Sequence, residues 1–321
     1  MQAKILKELI ADGRKTDSEI AKKIGEKKEN IQKNFAKMEE IGIITGATIH
    51  INYKSFGYKA VAHTLINVDS KQEGQLIEYL KKMPEVYSFY NREVKGNLDV
   101  VIILKTLGQL NDIKDRIKRQ FSILEMRTAI WTDVKEMNEN LSIATDNTKK
   151  EEEITGCQAD TRRSKPQTMV VDQIDQKIAD KLSENGRVPM ETLGREIGIS
   201  PDVAKRRYEK LKKNGVLKVT IQFNPIKIGY RAMCVFFAAT SHENLFDIIE
   251  KISKIPDVIS IMKTTGDYDL QIWLMVRDIG QLLCVQEELG KTPGIIRMDK
   301  EIWRLDNWEK WPSPRQCIST F

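Results

Sequence analysis

"GISPDVAKRRYEKLKKNG", residues 198–215, decides the fold. Gly198 is the residue expected where a helix ends in a left-handed turn. Ser200 and Pro201 then supply an N-cap and a first-turn proline, a strong helix-start signal. Ala204, Tyr208 and Leu211 recur at helical spacing as an inner face, and Asn214-Gly215 closes the helix. Lys205, Arg206, Glu209 and Lys212 fall outside that face, with Arg207 at its edge. Residues 205–213 carry six basic residues against one acidic. Such clustering suits a phosphate backbone, although a charge run also serves as a plain solvated face.

Reading outward, Ile174, Ile178 and Leu182 form one apolar stripe, "NGR" (185–187) breaks it, and Leu193 and Ile197 mark a second helix. On the other side Leu217, Val219, Ile221 and Phe223 alternate as a strand, read as a wing. Helix, helix, glycine turn, basic helix and strand is the order of a winged helix-turn-helix. Its third helix fills a major groove, so Pro201, Asp202, Lys205, Arg206 and Arg207 are the candidate DNA contacts.

The chain is written twice. Gly13-Arg14 returns as Gly186-Arg187, Ile24-Gly25 as Ile197-Gly198 and Gly42 as Gly215, all offset by 173. At an offset of 172, Asn52, Gly57 and Tyr58 return as Asn224, Gly229 and Tyr230; Gly108-Gln109-Leu110 returns as Gly280-Gln281-Leu282; Ile130-Trp131 returns as Ile302-Trp303. One order and an offset that changes by a single residue over most of the length mean a tandem duplication of a unit of about 140 residues. A small helical bundle with an ordinary basic surface is the bland alternative, and two copies with the same spacing argue against it. The first copy is the weaker reader: Lys27 stands where Ser200 caps, the "KRR" cluster is missing, and Lys28, Asn30, Gln32 and Lys33 point outward.

The rest of each unit reads β-α-β-β-α-β. In the second copy "AMCVFFAAT", "VISIMKT", "LQIWLMV" and "IIRMDKEIW" are strands, while "NLFDIIEKISKI" and "IGQLLCVQEEL" are helices. That order gives an antiparallel four-stranded sheet with two helices on one face, a ferredoxin-like layer whose open apolar face must be buried by association. The expected fold is therefore α+β, two repeats, each a winged helix-turn-helix followed by a βαββαβ module. The boundaries are 1–52 and 58–137 for the first copy, 138–171 for a polar flexible linker, 172–224 and 230–306 for the second copy, and 307–321 for a tail lying on the surface.

Composition is that of a globular chain: 321 residues, 40% hydrophobic, 52 basic and 46 acidic residues, net charge +6. No apolar run approaches the roughly 20 residues of a membrane span, so no membrane partner is expected. "MQAKILKELI" starts an amphipathic helix and has no signal-peptide core. The cysteines, Cys157, Cys234, Cys284 and Cys317, lie far apart; Cys234 and Cys284 read as small core residues, and a reduced cytoplasm fits. No nucleophile–base pair, phosphate-binding glycine loop or zinc spacing occurs, so no catalytic residue, metal or cofactor is expected.

"ENGRVPMETLGREIGISPDVAKRRYEKLKKNGVLK", "NPIKIGYRA", "IPDVISIMKTTGDYDL" and "IIRMDKEIW" together resemble the Lrp/AsnC family of prokaryotic feast/famine regulators. The resemblance spans both copies. It implies a transcription regulator that binds double-stranded DNA, self-associates through its ferredoxin-like sheets, and takes an amino acid or related metabolite between subunits. The turn Thr265-Gly266-Asp267-Tyr268-Asp269 would border that effector, with amides near Gly266 receiving a carboxylate and Asp267 or Asp269 an ammonium. Turn chemistry is its plainer reading, since Gly and Asp are turn formers. The first copy has Gly96-Asn97-Leu98-Asp99 instead, keeping Asp99 but replacing the counterpart of Asp267 by Asn97, so one site per chain is expected.

Two rivals accompany this reading. Siroheme decarboxylases resemble the same architecture, also as double units, and place histidines in the sheet. Here only His50, His63 and His242 exist; His63 is the sole strand candidate, and a lone strand histidine reads as a packed residue. An architectural DNA-packing protein shares every feature but the effector turn.

Overall fold

The computed structural model describes residues 1–91, 96–137, 140–143, 169–241, 245–305, 310–312 and 318–319. The first unit runs α1 (Gln2–Ala11), α2 (Asp17–Ile24), α3 (Lys28–Glu40), β1 (Ile44–Asn52), β2 (Ala60–Val68), α4 (Glu73–Lys82), β3 (Val86–Asn91), β4 (Asn97–Leu104), α5 (Gln109–Gln120) and β5 (Ile123–Glu136). The second repeats it as α6 (Gln173–Glu184), α7 (Met190–Ile197), α8 (Pro201–Lys213), β6 (Leu217–Phe223), β7 (Ala232–Thr240), α9 (Leu245–Ile252), β8 (Val258–Thr264), β9 (Leu270–Val276), α10 (Ile279–Gly290) and β10 (Ile295–Arg304), followed by the two-residue strand β11 (Ile318–Ser319). The expected α+β order therefore holds in both copies. Among the described residues no helix is long and apolar enough to cross a membrane.

Local chemistry sets the helix ends. Thr16 with Glu19 and Asp172 with Asp175 form capping boxes on α2 and α6, and Ser200 accepts the Val203 amide on α8. Gly25 and Gly198 end α2 and α7 at φ 74° and 78°, the left-handed region that glycine enters without a steric penalty. The α3 start has Lys27 and no side-chain cap, as the missing serine implies.

The strand read as a wing is shared between units. Antiparallel pairing joins β1 to β6 with Ala47, Thr48 and Ile49 opposite Ile221, Thr220 and Val219. At the repeat offset of 172, Thr220 is the counterpart of Thr48, Ile221 of Ile49 and Val219 of Ala47. Each residue thus faces its partner's equivalent, and a pseudo-dyad passes between the two threonines. A lone strand would leave a ladder of amides and carbonyls without partners; the other copy's strand supplies them.

The two modules merge as well. Each has the strand order expected of a ferredoxin-like layer, and the edges β5 and β8 pair to give one sheet, β10-β7-β9-β8-β5-β2-β4-β3. Helices α4 and α5 cover the outer face of the first half over Ile66, Val100 and Ile102. Helices α9 and α10 cover the second half over Phe236, Ile272 and Leu274. The inner faces turn toward each other, so that Tyr90 of β3 stacks on Trp303 of β10 with centroids 4.6 Å apart. Val61, Val101, Trp131, Met233, Met262 and Trp273 join the helix-turn-helix cores in one continuous cluster. One chain thereby buries the two apolar faces that single modules would expose.

Three expectations are corrected. The tail is not wholly on the surface: Trp311 is 3% exposed and pairs with Phe223 through two 2.8 Å backbone hydrogen bonds, and β11 runs parallel to β1. An indole of that size gains more from the core than from water. The start of the linker is packed, with Leu141 fully buried and the Asn140 amide donating to Ser253 O at 2.8 Å, while residues 144–168 lie outside the described residues. Cys234 is buried as expected, but Cys284 is exposed on the outer face of α10.

Candidate nucleic-acid interface and effector turn

Both third helices present their N-terminal halves to solvent. On α8, Ala204, Tyr208 and Leu211 face inward, and Pro201, Asp202, Lys205 and Arg206 are exposed. On α3, Ile31 and Met38 are buried, and Lys28, Asn30, Gln32 and Lys33 are exposed, with the Asn30 amide 3.2 Å from Glu26. Arg207 departs from expectation. Its guanidinium donates to Asp172 at 2.6 Å and Asp175 at 2.8 Å, bonds that raise its pKa, and so it ties α8 to the start of α6. Periodicity placed Arg207 at the edge of the face but could not see that Asp172 and Asp175 end up beside it.

The repeated Gly-Arg pair, conspicuous in the sequence but without a role there, clasps the two helix-turn-helix units together. The Gly13 amide donates to Val219 O and the Gly186 amide to Ala47 O, both at 2.8 Å. Arg14 donates to Gly186 O (2.7 Å) and Val188 O (3.1 Å) and lies over the Tyr208 ring; Arg187 donates to Gly13 O (2.9 Å) and lies over Phe35. Burial lowers the Arg14 pKa. Lys212 adds a 2.8 Å bond to Asp12. The contacts are reciprocal, as the pseudo-dyad requires.

The turn Thr265–Asp269 lies at the seam of the merged sheet. Thr265 donates its amide to Ile130 O (3.0 Å) and accepts the Ile130 amide on its hydroxyl (3.2 Å), across from the first module. β8 is its own module's edge strand and becomes interior only by this pairing. The Asp269 carboxylate accepts the Thr240 amide (2.7 Å) and hydroxyl (3.2 Å), so it locks the turn instead of facing outward. Tyr268 donates to the Asp299 carboxylate beneath the Arg297 guanidinium. Gly266, at φ 109° with open space around its α-carbon, and Asp267 are exposed.

Strand register also corrects the alignment of the two turns. Leu65 pairs with Asp99, and its counterpart Phe237 pairs with Gln271. Asp99 is therefore the equivalent of Gln271, two residues beyond Asp269, and the shared Gly-x-x-Asp spelling concealed the shift. Asp99 is fully buried between the sheets, where a polar chain crosses from one unit to the other. Trp131 Nε1 donates to Gln271 Oε1 (3.1 Å), Gln271 Nε2 lies 3.2 Å from His63 Nδ1, and His63 Nε2 lies 3.1 Å from Asp99. His63 stacks on Trp131 at 5.6 Å and is packed, as a lone strand histidine is expected to be; His242 lies outside the described residues. Beside this chain a cavity of about 20 Å³ remains, lined by Tyr87, Ser88, Trp131, Ser260, Trp273 and Trp311, with room for about one water. Among the described residues no cluster of His, Cys, Asp or Glu could hold a metal ion.

Residues 171–212 match the AsnC-type helix-turn-helix domain, and residues 233–302 match the Lrp/AsnC ligand binding domain. The HTH-type transcriptional regulator FL11 of Pyrococcus furiosus is 25% identical over 127 residues, 39% of this chain and 84% of that one. The regulatory protein AsnC of Haemophilus influenzae is 27% identical over 143 residues, 42% of this chain and 95% of that one. Among solved structures, the siroheme decarboxylase NirDL shares the two-unit fold, with a TM-score of 0.60 at 14% identity, covering 94% of this chain and 90% of that one. At that identity the likeness concerns fold alone. With both family domains present in order, on the helix and turn described above, the second unit of the chain is similar to the Lrp/AsnC family.

Proposed function

We propose that this chain is a cytoplasmic DNA-binding transcription regulator that carries both readers of a family dimer in one polypeptide. The carrying observation is the pair of exposed basic helix starts, Lys205-Arg206 on α8 and Lys28 with Lys33 on α3, related by the pseudo-dyad between Thr48 and Thr220. Duplex binding measured against salt tests it. Lys205→Ala/Arg206→Ala should weaken binding on every sequence and flatten the salt slope by up to about two phosphate equivalents. Failure of the native chain to bind any duplex at low salt would sink the reading.

The effector reading is narrower than the five-residue turn. With Asp269 engaged by Thr240, the groups available to an amino acid are the Gly266 amide region and Asp267. Calorimetric screening of amino acids against the native chain and Asp267→Ala decides it; equal binding by both, or none by the native chain, leaves turn chemistry only. The enzyme reading gains no support from the cavity described above, where Trp131, Trp273 and Trp311 leave room for about one water. A tetrapyrrole absorption band in the purified protein would reverse that judgement. Self-association between whole chains, part of the same proposal, is read by light scattering.

A further inference from the structure

A regulator made of two identical chains reads with two identical helices, so the site it prefers repeats itself about the dyad. Here the two readers are covalently one chain and have diverged. At the repeat offset of 173, Gln32 stands where Lys205 does, Lys33 where Arg206 does, and Lys28 where Pro201 does. All six are exposed on the first two turns of α3 and α8. The helices are also not free to reorient independently. The β1–β6 ladder, the reciprocal Gly13–Val219 and Gly186–Ala47 bonds, and the Arg14 and Arg187 clasps fix one relative to the other.

Glutamine pairs best with the N6 and N7 edge of adenine, while lysine and arginine pair best with O6 and N7 of guanine. We infer that a single chain reads a non-palindromic duplex of two unlike half-sites in fixed order and spacing, with adenine under Gln32 of α3 and guanine under Lys205 and Arg206 of α8. The inference rests on the DNA-binding reading above and goes beyond it by naming the kind of site. It also gives the duplication a consequence: a doubled chain sets one orientation on the DNA, which a symmetric pair does not.

The test is selection of bound duplexes from a random pool by the full chain and by Lys205→Gln/Arg206→Lys, with circular dichroism confirming that the surface variant is folded. The native chain should enrich two different half-sites at constant spacing, one chain per site by mass. Replacing the guanines of the α8 half-site should weaken binding about 5- to 150-fold. The variant should convert that half-site into an inverted copy of the other. A palindrome or a single half-site from the native chain, two chains per site, or an unchanged motif from the variant would each overturn the inference while leaving DNA binding intact. Enrichment of no duplex would instead overturn the DNA-binding reading beneath it.

Discussion

Thr48 and Thr220 face each other on the pseudo-dyad, and each donates its hydroxyl to a carbonyl of the other unit's first helix. Thr48 reaches Ser183 O at 2.9 Å, and Thr220 reaches Ile10 O at 3.0 Å. Both threonines are fully buried, and Ser183 is the repeat counterpart of Ile10. The two readers are therefore joined through their own strands and first helices as well as through the sheet modules.

Thr48→Val and Thr220→Val keep the shape and remove one hydroxyl each. Every such loss in the buried core should cost about 1 kcal/mol, more if the stranded carbonyl finds no water. The double variant should show a lowered denaturant midpoint with an unchanged m-value. An unchanged midpoint would mean that these bonds do not hold the readers together.

Close approach explains the repeated glycines next to them. A β-carbon on Gly13 would sit 2.7 Å from the Thr220 carbonyl carbon, and one on Gly186 would sit 2.9 Å from Thr48 O. Gly13→Ala and Gly186→Ala should each destabilise by about 1–3 kcal/mol through forced strand displacement. Thermal unfolding that matches the native chain would show that the strands can shift at no cost.

Much of this fold is legible in sequence because its signals are local. Ser200-Pro201 and Gly198 mark the start of α8, the spacing of Ala204, Tyr208 and Leu211 marks its inner face, and the repeat marks the second copy. What stayed hidden depends on pairing between distant segments. Nothing in "LKVTIQF" says that its partner is β1, some 170 residues away, because alternation reports a buried strand and is silent on its neighbour. The same limit hid the pairing of Arg207 with Asp172 and the engagement of Asp269 by Thr240. The Asp99 misalignment had a different cause. A four-residue spelling similarity outweighed the offset of 172 that the flanking strands obey, and that offset pointed to Gln271 all along.

Arg207 separates a structural cation from two that face solvent. Arg207→Ala should lower the melting temperature and leave the salt slope of DNA binding unchanged, because its guanidinium is held by Asp172 and Asp175. Lys205→Ala/Arg206→Ala should do the reverse. A drop in salt slope for Arg207→Ala would return that residue to the DNA face.

Trp311 lies beyond the second module yet is bonded to Phe223 and packed beside the inter-sheet cavity. Trp311→Ala should cost about 3–5 kcal/mol, the usual loss for emptying a large aromatic site. A chain cut after Leu305 should lose at least as much. Unfolding curves of either variant that overlie the native curve would mean the indole adds no stability to the core.

His50 carries the pH dependence. It is 3% exposed on β1 opposite Lys218, and burial first, then the lysine charge, depresses its pKa to about 3. The unfolded chain keeps the ordinary value near 6.5. Between those values the unfolded state binds the extra proton, so stability is complete above about pH 6.5 and falls as pH drops toward 3. Each pH unit within that window should remove up to about 1.4 kcal/mol on account of this residue. Neighbouring carboxylates begin to titrate below about pH 5, so the clean interval is pH 7 to 5. Denaturant unfolding of the native chain should show the slope there, and His50→Gln, which fills similar space without titrating, should flatten it. If the two chains lose stability equally from pH 7 to 5, the slope arises elsewhere and the buried imidazole is not its source.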